Sequence, residues 1–257
     1  PVNNIITNTD LFSKYYAAAD KILSTMSLDE KVSQLFYVKY SKELEKEPVG
    51  GFLFYENDFE NEDKETFKSK IDQIQSNSKL KYFTGVDEEG GNIVQISKFR
   101  NFRAIPFLSP KEIYNQGGMN SIVIDTIEKS NLLLSIGINN NFAPDIDIVD
   151  DFSSSMYNRS FSGDANEVSE YAKEVVTIYN KKKIVSGLKH FPGYGNNAVT
   201  DSIITDSRSL DELRKKDFLP FIAGISSNAP MIMVDNIIIS SIDKDNQASI
   251  STKVHDI

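Results

Sequence analysis

Six short apolar runs, each bounded by polar residues or glycine and separated by longer amphipathic stretches, constrain this chain more than any other feature. They fall at 32–38, 51–55, 82–86, 140–146, 184–191 and 231–239. Continuous apolarity over so few residues fits strands buried on both faces, as in a parallel sheet, and a parallel sheet needs a crossover helix between its strands. The clearest helix starts at Asp164, with Glu167 three positions later in a capping-box pattern. It carries Val168, Tyr171, Ala172, Val175, Val176 and Tyr179 on one face. The same start recurs at Ser27-Leu28-Asp29-Glu30 and at Ser209-Leu210-Asp211-Glu212, the second ahead of Phe218, Phe221, Ile222 and Ile225. Two more helices are expected over 64–75 and 121–135. Alternation of this kind predicts an α/β fold, a TIM-type (β/α)8 barrel. A closed barrel has eight strands, and the chain reaches His255-Asp256-Ile257 without a helix stop signal. Either the chain is part of a longer polypeptide, or an open six-stranded sheet covers its edges by other means; the favoured expectation is the first, a single barrel domain over residues 1–257 truncated after about six βα units.

Composition narrows the partners. With 40% hydrophobic residues in 257, the chain can bury one large core. A net charge of -9 and no basic tract denser than Lys181-Lys182-Lys183 leave no footprint for nucleic acid. No apolar run reaches the roughly 18 residues that span a bilayer. The start Pro1-Val2-Asn3-Asn4 is no signal peptide, and a first residue other than Met implies processing, so localisation stays open between the cytoplasm and the cell envelope. Zero cysteines exclude disulfides and thiolate chemistry, and two histidines, His190 and His255, leave little for zinc. The acidic run Asp145, Asp147, Asp150 and Asp151 lacks the spacing of a calcium loop. No metal and no cofactor is expected.

Three segments join glycine or aromatic residues to charged ones just beyond an expected strand, where α/β proteins place their sites. They are Val86-Asp87-Glu88-Glu89-Gly90-Gly91, Asn158-Arg159-Ser160-Phe161 and Lys189-His190-Phe191-Pro192-Gly193-Tyr194-Gly195. A carboxylate, a guanidinium, an ammonium and an imidazole on one rim suit a polyhydroxylated ligand, whose hydroxyls each donate and accept.

These segments resemble glycoside hydrolase family 3, and within it the β-N-acetylglucosaminidases. Lys189 to Gly193 is similar to the family's Lys-His-Phe-Pro-Gly motif, and Asp87-Glu88-Glu89-Gly90-Gly91 to its Asp-x-Glu-Gly-Gly. Asn141-Phe142-Ala143-Pro144 and Arg159-Ser160-Phe161 resemble two further segments, and Met26 to Lys31 the usual opening helix. The matches keep the family's order. The resemblance implies a retaining glycosidase that removes terminal β-linked N-acetylglucosamine from peptidoglycan or chitin-type fragments, with Asp87, Arg159, Lys189 and His190 on the sugar hydroxyls. It also implies an Asp nucleophile at the seventh strand, which lies beyond this sequence, and an Asp-x-His acid/base pair on the loop after the fifth. Here Val199-Thr200-Asp201 stands in place of that pair, so Asp201 is the expected catalytic carboxyl although no histidine accompanies it. As a general acid it would need burial or a neighbouring anion to raise its pKa. Asn92 and Gln95 stand where the family often has basic residues, which makes Gln95 a substrate-side candidate with altered recognition.

Each candidate also has a purely structural reading. Asp87 could cap a helix, Gly90-Gly91 serve a tight turn, His190 hold a backbone carbonyl, Arg159 pair with Asp147 or Asp150, and Asp201 be simply solvated. Three functions therefore compete: a hydrolase acting on a small carbohydrate, a sugar-binding relative that has lost its acid/base histidine, and a partner-binding barrel with a dead pocket.

Overall fold

The computed structural model describes residues 12–154, 156–197 and 203–257. Its main sheet has six parallel strands in the order β1 (Tyr37–Lys39), β2 (Gly51–Leu53), β3 (Phe83–Val86), β4 (Asn140–Asn141), β5 (Val185–Phe191) and β7 (Met231–Val234). These are the first six strands expected of a β/α barrel, laid out as an open sheet with β1 and β7 at its edges. A second, two-stranded parallel sheet joins β6 (Thr205–Asp206) to β8 (Ile238–Ile239). The apolar run 231–239 is thus two strands in two sheets, because the chain turns at Asp235-Asn236 and sends Ile238 to pair with the segment after the β5 loop.

The helices α1 (Ser13–Leu23), α2 (Leu28–Ser33), α3 (Lys64–Ser76), α4 (Pro110–Ser135), α5 (Ala165–Lys182), α6 (Leu210–Lys215), α7 (Phe218–Ser226) and α8 (Thr252–His255) take up the intervening chain. Six of these starts follow a side-chain cap, while α1 and α7 have none. Ser27, Ser109 and Ser209 each accept from the backbone N–H three residues on while the Glu there reaches back, and the Asp164 carboxylate accepts from Asn166 and Glu167. Two expectations are corrected. The run 32–38 is not one strand: the Ser27 capping box carries a helix through Ser33, and only Tyr37 onward pairs with β2. Leu35 and Phe36 lie in the turn between, exposed, while the Gln34 amide donates to the Pro48 and Val49 carbonyls. Likewise 140–146 pairs as a strand only at Asn140–Asn141, with a single further bridge from Asp145 to Lys189.

Burial sorts the strand residues by alternation. Phe52 and Phe54 of the β2 segment point outward to meet Phe67 of α3, Phe59 and Tyr82. On α5 the predicted face, Val168, Tyr171, Ala172, Val175, Val176 and Tyr179, is buried throughout. The larger of these side chains contribute about 1.5–3 kcal/mol each through apolar burial, which is what holds α5 between α4 and α7 against the sheet. The other strand face looks inward. Tyr37, Gly51 and Gly85 meet there, since a Cβ on Gly85 would sit 2.2 Å from the Tyr37 hydroxyl. Among the described residues no helix is long and apolar enough to cross a membrane.

Candidate functional site

The β3 strand ends at Val86 and delivers Asp87, Glu88 and Glu89 to the carboxyl-terminal edge of the sheet. The chain then makes a tightly fixed turn. Gly90 has φ +113° and Gly91 φ +61°, and a Cβ on Gly90 would lie 2.1 Å from the Leu108 carbonyl oxygen, so only glycine fits. The buried Glu88 carboxylate accepts from the backbone N–H groups of Gln95, Ile96 and Ser97 at 2.8, 2.8 and 3.2 Å. The Asn141 side chain brackets Glu88 from the next strand, accepting from its N–H and donating to its carbonyl, both at 3.0 Å. From α4, Lys129 donates to the Glu89 carbonyl at 2.8 Å. Glu88 therefore builds the platform on which Asp87 and Glu89 stand.

Those neighbours meet the other two segments. Lys189, near the end of β5 and 2% exposed, places its Nζ 2.6 Å from Asp87 Oδ1 and 2.6 Å from Glu89 Oε1. Arg159 donates to both Glu89 oxygens, Nε at 2.8 Å and Nη2 at 2.6 Å, in the two-point geometry that a guanidinium and a carboxylate share. Its Nε also lies 3.0 Å from Asp145 Oδ2, and its Nη2 is 3.4 Å from His190 Nε2. His190 turns its other ring nitrogen to Asp147 Oδ2 at 2.6 Å, and the second Asp147 oxygen accepts from the Tyr194 N–H at 2.6 Å. Three cis peptide bonds, Ala143-Pro144, Lys189-His190 and Phe191-Pro192, lie in the two segments that carry these residues.

Asp87, Arg159, Lys189 and His190 thus belong to one connected cluster. Three members of it were not among the sequence candidates: Glu89, Asp145 and Asp147. The structural readings resolve differently. Arg159 pairs with Glu89 and Asp145 rather than with Asp147 or Asp150, and Asp150 instead takes Lys216. His190 holds a carboxylate, not a carbonyl. Ser109, not Asp87, caps the helix after β3. Gln95 sits beside the cluster, where its side-chain oxygen accepts from the Glu56 N–H at 3.0 Å. Asp201, with Val199 and Thr200, lies outside the described residues.

The charged groups shift one another's protonation. Burial raises the Glu89 pKa, but Lys189 and Arg159 outweigh it and hold the carboxyl at about 2. Burial and the Asp147 anion push Asp145 up to about 7 in spite of Arg159, because that guanidinium is already committed to Glu89. Burial lowers His190, yet Asp147 at 2.6 Å more than compensates and its pKa rises above the ordinary 6.5. Four carboxyls, Asp87, Glu89, Asp145 and Asp147, thus share the cluster with Arg159, Lys189 and His190, and among them burial and its neighbours raise the pKa of Asp145. Asp145, Asp147 and His190 bring ligand-type atoms within 4.8 Å of one another. Arg159 already supplies positive charge there, and no metal is assigned.

Residues 27–257 match the profile described as the glycosyl hydrolase family 3 N terminal domain. The chain belongs to glycosyl hydrolase family 3. Among its family 3 relatives, the Beta-hexosaminidase A of Pseudoalteromonas piscicida is 32% identical over 179 residues, covering 66% of this chain and 29% of the relative. The Beta-hexosaminidase of Methylococcus capsulatus is 30% identical over 162 residues, 62% of this chain and 48% of the relative. The matched part spans less than half of each of these two relatives. Of solved structures, a family 3 beta-N-acetylglucosaminidase from Paenibacillus sp. str. FPU-7 superposes with a TM-score of 0.81 at 20% identity, covering 90% of this chain and 46% of that one. LpqI of M tuberculosis superposes with a TM-score of 0.80 at 23% identity, covering 91% and 69%. At such identities these two show a shared fold.

Proposed function

We propose that this family 3 chain forms a barrel-type domain that binds a terminal β-linked N-acetylglucosamine, or a related hexosamine, as part of a retaining glycoside hydrolase acting on cell-wall or chitin-type fragments. The observation that carries the reading is the single cluster of Asp87, Arg159, Lys189 and His190 at one edge of the sheet. Asp87 is the most open of its acids, with its side chain 24% exposed, and it offers an acceptor for sugar hydroxyls. Arg159 and His190 offer donors beside it, and the buried acids Glu89 and Asp147 hold both in place. The names of the curated relatives point the same way.

In this reading Asp201 takes the acid/base role, while Gln95 borders the sugar beyond the Glu56 contact. A second reading is favoured by one feature of the sequence. His190 and His255 are its only histidines, and His190 is committed to Asp147, which leaves no imidazole for an acid/base pair. The protein would then bind the sugar without cleaving it. Calorimetry with N-acetylglucosamine, run beside release of nitrophenol from nitrophenyl N-acetyl-glucosaminide, separates the two. Binding with turnover that Asp201→Asn abolishes supports the hydrolase, binding without turnover the second reading, and no binding by a folded protein overturns both.

A further inference from the structure

The inward face of the sheet can be followed, layer by layer, to its rim. Tyr37 pairs with Gly51 and Gly51 with Phe83, and two residues on, Lys39 pairs with Leu53 and Leu53 with Gly85. The ladder runs past the end of β2, because the Phe54 N–H donates to the Gly85 carbonyl at 2.9 Å. Phe54 itself points outward into the aromatic cluster around Phe59 and Phe67. By strict alternation the next inward positions are Tyr55 on the β2 segment and Asp87 on the β3 segment, side by side at the rim.

Two observations agree with that placement. Burial and the Asp87 carboxylate raise the Tyr55 hydroxyl pKa while Lys189 pulls it down, so the phenol lies within the field of both pocket residues. The Lys39 ammonium sits 5.2 Å from the Tyr55 ring centre, continuing the rim toward β1. Tyr55 is only partly buried, so part of the residue is open to solvent at this rim.

We infer that Tyr55 is a ligand-contacting residue that forms the β2-side wall of the pocket, its ring packing against the apolar C–H face of the bound sugar beside Asp87. This rests on the sugar-binding reading above. A pyranose has hydroxyls at its edge and C–H groups on its faces. Asp87, Arg159 and His190 serve the edge, and an aromatic ring serves a face without asking for a hydrogen bond. Because the ring rather than the hydroxyl makes the contact, phenylalanine should replace it and alanine should not.

The chain contains no tryptophan, so Tyr55→Trp installs a single fluorophore at this wall. Titration of that variant with N-acetylglucosamine is expected to shift its emission saturably, with the midpoint found by calorimetry, while Tyr16→Trp on the exposed face of α1 stays unchanged. In parallel, Tyr55→Ala should weaken binding roughly tenfold and Tyr55→Phe by less than about threefold. If the wild-type protein binds the sugar but the Tyr55→Trp emission does not respond, or Tyr55→Ala binds as the wild type does, the assignment of Tyr55 is overturned and the sugar-binding reading stands. If the wild-type protein binds no sugar, that reading fails first.

Discussion

One oxygen of Glu89 serves an ammonium and a guanidinium at once, so removing its charge leaves Lys189 with Asp87 alone and Arg159 with Asp145 alone. Glu89→Gln is expected to destabilise the protein by about 3–5 kcal/mol in urea unfolding, the usual cost of breaking a buried pair on one side. Protonation at His190 gives a second prediction. Its folded pKa is raised above 6.5, so its stabilisation is full below that value and is lost as pH rises through the folded value. Asp147 is lowered despite burial, by His190 first, so its share is present above the ordinary 3.8 and lost only as pH falls through its depressed folded value. Asp145, raised to about 7, adds stability that is present below its ordinary 3.8 and fades as pH rises through about 7. Stability measured by urea titration should therefore fall on going from pH 6 to 8, and His190→Gln should flatten that slope. At this scale the sequence revealed residues that come together in one cluster, since Asp87, Lys189 and His190 stand at strand ends and Arg159 in a loop beyond one. It concealed what orients them. Glu89 looks like any motif carboxylate until Lys189, 100 positions later, is known to lie against it, and Asp147 reads as part of a solvated acidic run until it is seen beneath the imidazole.

Among the elements, the helices opening at Ser27, Asp164 and Ser209 were legible because a cap announces itself in four residues, whereas α4, expected over 121–135, starts at Pro110 behind the Ser109 cap and kinks at Gly117-Gly118. Ser109→Ala should cost about 1 kcal/mol in thermal or urea unfolding, through the lost N-cap of α4. Strand limits depend on partners far away in the chain. The run from Val32 to Phe36 is as apolar as a strand, yet the capping box at Ser27 decides its first half and the register of Tyr37 against Gly51 its second. In the turn after β3, backbone shape dominates. Gly90→Ala would force a side chain into a positive-φ position and against the Leu108 carbonyl, and should cost about 2 kcal/mol or more, visible as a lower urea midpoint. Its effect on the pocket should exceed its effect on the outer helices, since Glu88, Asn141 and Lys129 all fasten that turn.

On the scale of the whole molecule, the alternation of apolar runs and amphipathic stretches was enough to give a parallel α/β sheet of six strands and its barrel-like relatives. The second sheet was not legible, because two pairs of residues, Thr205 with Ile238 and Asp206 with Ile239, carry no periodicity of their own. Nor was the turn at Asp235 that divides one apolar run between the two sheets. The ionic cluster is tied from the tip of β3, from the two segments holding Asp145 with Asp147 and Arg159, and from the tip of β5. Opening any one of these contributors breaks contacts made by the others, so the cluster depends on β3, β4 and β5 staying paired. Slow amides in all four stretches should therefore exchange with deuterium at one common rate, and a saturating ligand should slow them together, protecting the entire fold rather than the rim alone.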